Sequence, residues 1–413
     1  VSAVTPPAVP PVEERDRRDG KVGAVVREIM SGSVVLSIAA ILLSFVIGGI
    51  LIAASDEDVQ ETAGYFFARP GDMLGAILDA VGGAYGALIR GAVFNPRGDS
   101  LGEVLGPISE TLVYATPLVA AGLGVAVAFR AGLFNIGGTG QIVAGAAAAG
   151  WVGFAVDLPP VLHVIVALVA GILGAAVWAG IVGILKARTG AHEVILTIML
   201  NYIALRLFDY LLTTPVLQQP GTVNPISPPV SPDAMFPSIV GRLHWGFVAM
   251  LLAVVAIWWL FAKSNLGFKI RAVGLSPSAA RTAGINVGII YVVTFAIAGG
   301  LMGIAGSAQI LGTERTLTGG IAGSIGFDAI TVALLGRSKP FGVLAAGILF
   351  GALRAGSRTM QASEGVPVDI VLVVQSFIVL FLAAPPLVRA IFRLPAPGTR
   401  ATAILSRSKG AKA

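Results

Sequence analysis

The strongest constraint on this chain is a series of long apolar runs almost free of charge. Ser33 to Ala54 reads SVVLSIAAILLSFVIGGILIAA and holds no ionisable side chain. About 20 apolar residues in a helix cross a bilayer, and only a helix or a closed barrel satisfies its own backbone there. The run exceeds the apolar stretch of a cleaved leader, about 7–15 residues, and reads as a retained first span. Further runs follow at about 109–129, 133–155, 161–184, 193–213, 244–262, 286–310, 325–337, 341–357 and 368–389. The short piece at 325–337 reads as half a span or a re-entrant element. Composition agrees, with 55% hydrophobic and only 12% charged residues in a chain of 413. A soluble domain is nearer 25% charged. The expected fold class is therefore all-α: a polytopic membrane protein of about ten transmembrane helices, broken or re-entrant elements included.

Charge organises the rest. Residues 1–28 are Pro-rich and then charged, as expected of a disordered cytoplasmic tail. The transmembrane domain is expected over 29–392, followed by a basic cytoplasmic tail at 393–413. Lys186 and Arg188, the basic residues between Lys263 and Arg281, Arg337 with Lys339, and the tail all fall on one side if ten spans follow an inside N-terminus. The positive-inside rule makes that side cytoplasmic. Arg69, Arg90, Arg97, Arg242, Arg354 and Arg358 are exceptions, falling outside or within a span. Segments 55–106 and 214–243 then lie on the outer face. The first reads as an interfacial helix or helix pair, the second as a Pro-rich loop with a fairly fixed surface. Five spans precede that loop and five follow it, an odd number per half, which fits an inverted five-helix repeat.

Several chemistries are excluded or disfavoured. The chain has no cysteine, and its three histidines, His163, His192 and His244, are scattered. No disulfide, Cys-ligated metal site or catalytic constellation is expected, and no cofactor in this chain. The net charge of +6 is explained by cytoplasmic loops rather than nucleic acid. No GxxxxGK[ST] phosphate loop occurs. If ATP drives this chain, another subunit hydrolyses it.

Glycine and alanine recur at close spacing in GILGAAVWAGIVG (Gly171 to Gly183) and GGLMGIAG (Gly299 to Gly306). Small residues let helix backbones approach closely in lipid. FRAGLFNIGGTGQIVAGAAAAG (Phe129 to Gly150) is different, because it puts Asn135 and Gln141 among glycines at membrane depth. Irregular backbone is tolerated there only when buried or lining a wet cavity. The two amides either line a polar path or bond neighbouring helices, and Asn201, Tyr202, Gln309 and Gln375 pose the same question. Phe134 and Tyr202 offer an aromatic wall. Arg130 ends its span and is expected to reach the interface. Deep carboxylates are few (Asp328, Glu193 and Glu314), which disfavours a proton- or sodium-driven carrier. A secondary transporter is nevertheless the alternative of another class.

Between Lys263 and Gly288 the chain reads KSNLGFKIRAVGLSPSAARTAGINVG. Ser276 reads as an N-cap, Pro277 as the first helical residue and Gly284 as the stop. A short capped helix on the cytoplasmic face suits docking into another protein. Its segment, 263–285, supplies Gly267, Arg271, Gly274, Ser276, Ala279, Ala280 and Gly284 as candidate coupling residues.

These blocks resemble the permease subunits of ABC importers for simple sugars and nucleosides, in the branched-chain amino acid/ribose permease superfamily. The resemblance covers roughly 105–390 and rests on four blocks in order: FRAGLFNIGGTGQ, AHEVILTIMLNYIA, FKIRAVGLSPSAARTAGI and GFDAITVALLGRSKPFGVLAAGILFGAL. Thr139 stands where an acid often precedes the GQ, and His192 where Asn is usual. TIMLNYIA and the long outer segment favour the nucleoside branch; simple sugars of the ribose or galactose type are the alternative. The resemblance implies a bacterial inner-membrane protein in the lipid bilayer. It implies ABC ATPase subunits, a second permease chain, identical or related, and an extracytoplasmic substrate-binding lipoprotein as partners. It also implies that the FNIG segment lines the translocation path, with Phe134, Asn135, Gln141, Asn201, Tyr202 and Gln309 as candidate path residues.

Overall fold

The apolar runs fold as helices. The structure, a computed structural model, describes residues 33–96, 98 and 100–393. The expected tails at 1–28 and, beyond Arg393, at 393–413 lie outside the described residues, as does Arg97. In chain order the helices are α1 (Ser33–Ser55), α2 (Glu57–Ala63), α3 (Pro70–Ala92), α4 (Leu101–Arg130), α5 (Gly138–Ala155), α6 (Pro160–Thr189) and α7 (Glu193–Leu211). A small antiparallel pair, β1 (Ser238–Val240) and β2 (Leu243–His244), precedes α8 (Gly246–Lys263), α9 (Asn265–Leu275), α10 (Pro277–Thr282) and α11 (Val287–Ala308). A π-helical turn at Gln309–Glu314 continues α11, followed by α12 (Ile325–Leu335), α13 (Pro340–Glu364), α14 (Val368–Ala383) and α15 (Pro385–Ile391).

Among the described residues, eight helices are long and apolar enough to cross a membrane, or nine if the bent pair α14–α15 is one span. The difference from about ten is informative. Segment 55–106 forms the expected helix pair, α2 and α3, but α3 has the length and apolarity of a span. Conversely α12 is short, as its sequence predicts, and α5 opens on Gly-Thr-Gly-Gln, which makes its start polar. Both are the halves that follow a break.

The chain divides into two compact units, Val1–Gly48 with Val374–Ala413, and Gly49–Val373. In the first, Leu36, Ala39 and Ala40 bury against Phe381 and Val388. The second holds all the blocks discussed below. Its central helix is α4, 83% of whose apolar window is buried, whereas only 22% of that of α6 is. Small residues set its closest contacts, as expected. A side chain at Gly299 would strike the α6 backbone at Ala175, one at Gly303 that at Gly171, and one at Gly306 the α5 backbone at Ile142. Contact this close replaces the hydrophobic drive that lipid does not supply.

Local chemistry starts and stops the elements. Ser100 caps α4 by accepting from Glu103 N–H, and Ser264 caps α9 by accepting from Gly267 N–H at 2.9 Å. His192 caps α7: its Nδ1 accepts from Val194 N–H at 3.3 Å, so the imidazole does the work an Asn side chain does at an N-cap. Ser276 caps α10, Pro277 is its first residue, and Gly284 follows with φ +79°, all as the sequence predicts. The Pro-rich loop before α8 is hydrogen-bonded inward. Val230 N–H donates to Arg315 O at 2.8 Å, Phe236 N–H to Leu311 O at 2.9 Å, and Ser231 N–H to Gly153 O at 2.9 Å.

Candidate polar path at two helix breaks

The first break follows α4. Gly132 adopts φ +70°, and a side chain at Gly274 would strike the backbone of Arg130, so the α4 end and α9 meet backbone to backbone. Nearby, Arg130 Nε donates to Ser338 O at 3.2 Å, and its guanidinium lies 5.7 Å from the Phe261 ring centre. Arg130 is thus held at the end of the bundle that also carries the α9–α10 segment.

Seven non-helical residues, 131–137, link α4 to α5. Asn135 and Gln141 form a reciprocal amide pair. Asn135 Nδ2 donates to Gln141 Oε1 at 3.0 Å, and Gln141 Nε2 donates to Asn135 Oδ1 at 3.1 Å. Asn135 Oδ1 also accepts from Gly137 N–H at 3.0 Å. Asn201 reaches in from α7, accepting from Gly140 N–H at 2.7 Å and donating to Ile136 O at 2.8 Å. All three amides are buried, with exposures of 1%, 1% and 7%. They stand in for the helical hydrogen bonds that the break removes.

The second break follows the π turn. Arg315 takes a left-handed φ of 64°, and turns carry the chain to α12. Here Ser324 Oγ donates to Asp328 Oδ2 at 2.8 Å, and Arg354 of α13 pairs with the same oxygen at 2.6 Å. Arg354 also donates to Ser324 Oγ.

The two half-helices meet at their N-termini. A side chain at Gly138 would come within 3.0 Å of Gly326 O, and one at Gly326 would collide with Thr139. Only glycine at both positions permits this approach. The Thr139 hydroxyl is buried at this junction without a hydrogen-bond partner.

The remaining sequence candidates lie around this centre. Phe134 is half-exposed, its ring centre 4.9 Å from that of Phe129. Tyr202 is largely exposed on α7, turned away from Asn201. Gln309 opens the π turn, further along α5, where Ile310 lies beside Gly150. In the segment 263–285, Gly267 sits against Leu260 O, Gly274 against Arg130 O, and Arg271 donates to Phe261 O. These three hold the segment to its own chain, and Ala280 is buried. Leu275 and Phe268 are exposed, at 88% and 57%, with Ala279 and Gly284 also open. The sequence reading missed the Asp328–Arg354 pair, although an arginine inside an apolar helix is itself a signal that an acid must be near. Among the described residues no group of His, Cys, Asp and Glu has the makings of a metal site.

A multi-span helical chain in which two half-helices converge on a buried polar junction has the architecture of a membrane permease. The family model described as "Branched-chain amino acid transport system / permease component" matches residues 108–383, and the chain belongs to that family. It is 40% identical over 286 residues to the guanosine ABC transporter permease protein NupP of Bacillus subtilis, covering 68% of this chain and 82% of that one. It is 36% identical over 288 residues to the glucose ABC transporter permease protein TsgB13 of Haloferax volcanii, covering 67% and 75%. The nucleoside ABC transporter permease protein NupB of Lactococcus lactis is 33% identical over 322 residues, covering 74% and 86%.

Proposed function

We propose that this chain is the membrane-embedded permease subunit of an ATP-driven ABC importer and forms the translocation path for nucleosides. The observation that carries the reading is the 40% identity to a guanosine permease. The chemistry of the first break supports it. Its polar groups are neutral amides, which donate to and accept from a nucleoside's base edge and ribose hydroxyls. A charged solute would need an opposite charge at depth, and the Asp328–Arg354 pair is already neutralised. The glucose permease relative favours a second reading, a simple sugar, which the same amides also suit.

In this reading Phe134, Asn135, Gln141, Asn201, Tyr202 and Gln309 contact the solute in the states that open the junction. The chain hydrolyses no ATP and needs no cofactor of its own. Two permease chains work with separate ATPase subunits and an extracytoplasmic binding lipoprotein in a bacterial inner membrane. The exposed face of α9–α10, led by Leu275, Ala279 and Gly284, docks into the ATPase. Leu275→Asp should leave insertion intact and uncouple ATP hydrolysis from uptake. Uptake by the reconstituted transporter should be displaced by guanosine or uridine, and less by ribose or glucose. Displacement by leucine and by none of these would overturn the assignment.

A further inference from the structure

The arginines that depart from the positive-inside pattern are mostly neutralised. Arg90 pairs with Glu364 at 3.3 Å, Arg242 with Glu110 at 3.0 Å, Arg354 with Asp328 at 2.6 Å, and Arg69 approaches Asp72 at 3.9 Å. Arg358 differs. It lies within α13, it has no carboxylate partner among the described residues, and its guanidinium sits 5.1 Å from the ring centre of Tyr114. An aromatic face holds an exposed cation by only about 0.5–1 kcal/mol.

Arg358 lines a cavity of about 450 Å³ together with Arg90, Asn95, Glu110, Tyr114 and Arg242. Three guanidiniums face it, while Glu110 and Glu364 neutralise two of them. One positive charge is left over, beside the hydroxyls of Tyr114, Thr359 and Ser363. A single anionic group with several acceptor oxygens matches that set.

Depth and surroundings identify which anion. Arg358 lies roughly 27 Å along α13 from Pro340 at a helical rise of about 1.5 Å per residue. The hydrocarbon core is about 30 Å thick, so the backbone at Arg358 ends just short of the far headgroup layer. Its long side chain spans the remaining few ångströms, in a cavity shared with Arg242 of the segment 214–243. The chain on either side of the cavity-lining residues exposes Ile89, Val93, Phe94, Leu105 and Ile108. A free phosphate has no use for such apolar neighbours, whereas acyl chains do. We propose that this cavity binds the phosphate of an anionic phospholipid in the outer leaflet, with Arg358 as its principal contact.

The test uses the full-length permease in detergent, mixed with equal amounts of phosphatidylglycerol and phosphatidylcholine and read by native mass spectrometry. The wild type should retain phosphatidylglycerol preferentially. Arg358→Gln should reduce that retention about fivefold, the equivalent of about 1 kcal/mol for one arginine at an anionic surface. Arg358→Lys should keep most of it. Equal retention by wild type and Arg358→Gln would overturn the proposal. So would a wild type without preference for the anionic lipid, or displacement of the lipid by millimolar inorganic phosphate, which would assign the site to a free anion. Should Arg358→Gln fail to insert, the wild type still decides. A photoactivatable phosphatidylglycerol should label 89–95 or 105–114, and labelling confined to other segments sinks the idea.

Discussion

At Gly137 the chain interrupts a helix and closes the gap with three neutral amides; at Ser324 it interrupts another and closes it with an aspartate and an arginine. The first repair is local. Two of its amides lie six residues apart, and the third comes from the helix alongside. The second ties the start of α12 to α13, 26 residues away. Both kinds of bond weaken as water enters, but the attraction between charges falls most steeply. The first break, with all three amides buried, is therefore the drier side of the Gly138–Gly326 junction, and the second, where Ser324 is exposed, is the side whose hold varies most with water access.

The largest expected effect comes from breaking the amide pair. Asn135→Leu strands the Gln141 amide and the Gly137 N–H in a buried site, at a cost of about 3 kcal/mol. Thermal or chemical denaturation in detergent should show it, with uptake lost. Asn135→Leu with Gln141→Leu should recover part of that stability, because neither amide is then left alone. A double variant as unstable as the sum of the singles would mean that the pair is not a unit.

Breaking the charged repair should cost less. Asp328→Asn leaves Arg354 without its counter-ion, but both side chains keep some exposure, 26% for Arg354 and 19% for Asp328. About 2 kcal/mol is expected, below the 3–5 kcal/mol of a fully buried pair. The comparison is sharpened by accessibility labelling in this naturally Cys-free chain. A cysteine at Ser324 should react with a water-soluble thiol reagent in more transport states than one at Gln141. Equal labelling would erase the distinction between the two breaks.

The two repairs were not equally legible in the sequence. FNIGGTGQ announces its own break, because glycines and amides crowd into eight residues of an apolar region. The small-residue helix contacts and the cap at Ser276 could be read for the same reason: their determinants are close in sequence. The Asp328–Arg354 pair, the inward bonds of the Pro-rich loop and the Gly138–Gly326 contact join residues far apart in the chain. No spacing rule brings those together. Segment 55–106 misled because α3 spreads Asp72, Asp79 and Arg90 through an otherwise apolar helix. Charge counting hid a helix of spanning length.

Acid should affect the second break and spare the first. His244 stacks on Phe236, with 5.6 Å between ring centres, and leaves no room for a side chain at Gly312 of the π turn. It lies just before α8. Burial, with Arg242 nearby adding to the effect, pushes its imidazole down from 6.5 to about 4. As pH falls below 6.5 the unfolded chain takes a proton that the folded one refuses, so stability falls with pH and is unaffected well above 7. By pH 5.5 the loss is about 1 kcal/mol. His244→Phe should remove that component of the slope, and a wild-type slope identical to the variant's would discount the histidine.

The smallest effect is expected at the junction itself. Thr139 is 8% exposed, and its hydroxyl has no hydrogen-bond partner. A buried hydroxyl without a partner is a cost that an isosteric methyl removes, so Thr139→Val should stabilise the closed junction by somewhat under 1 kcal/mol. A hydroxyl kept at such a place is explained if it gains a partner when the half-helices part, either water or the solute. Thr139→Val should then raise the melting temperature slightly and lower the uptake rate, a combination that a purely structural residue does not produce. Faster or unchanged uptake in a stabilised variant would mean that the two half-helices do not separate at Thr139 during transport.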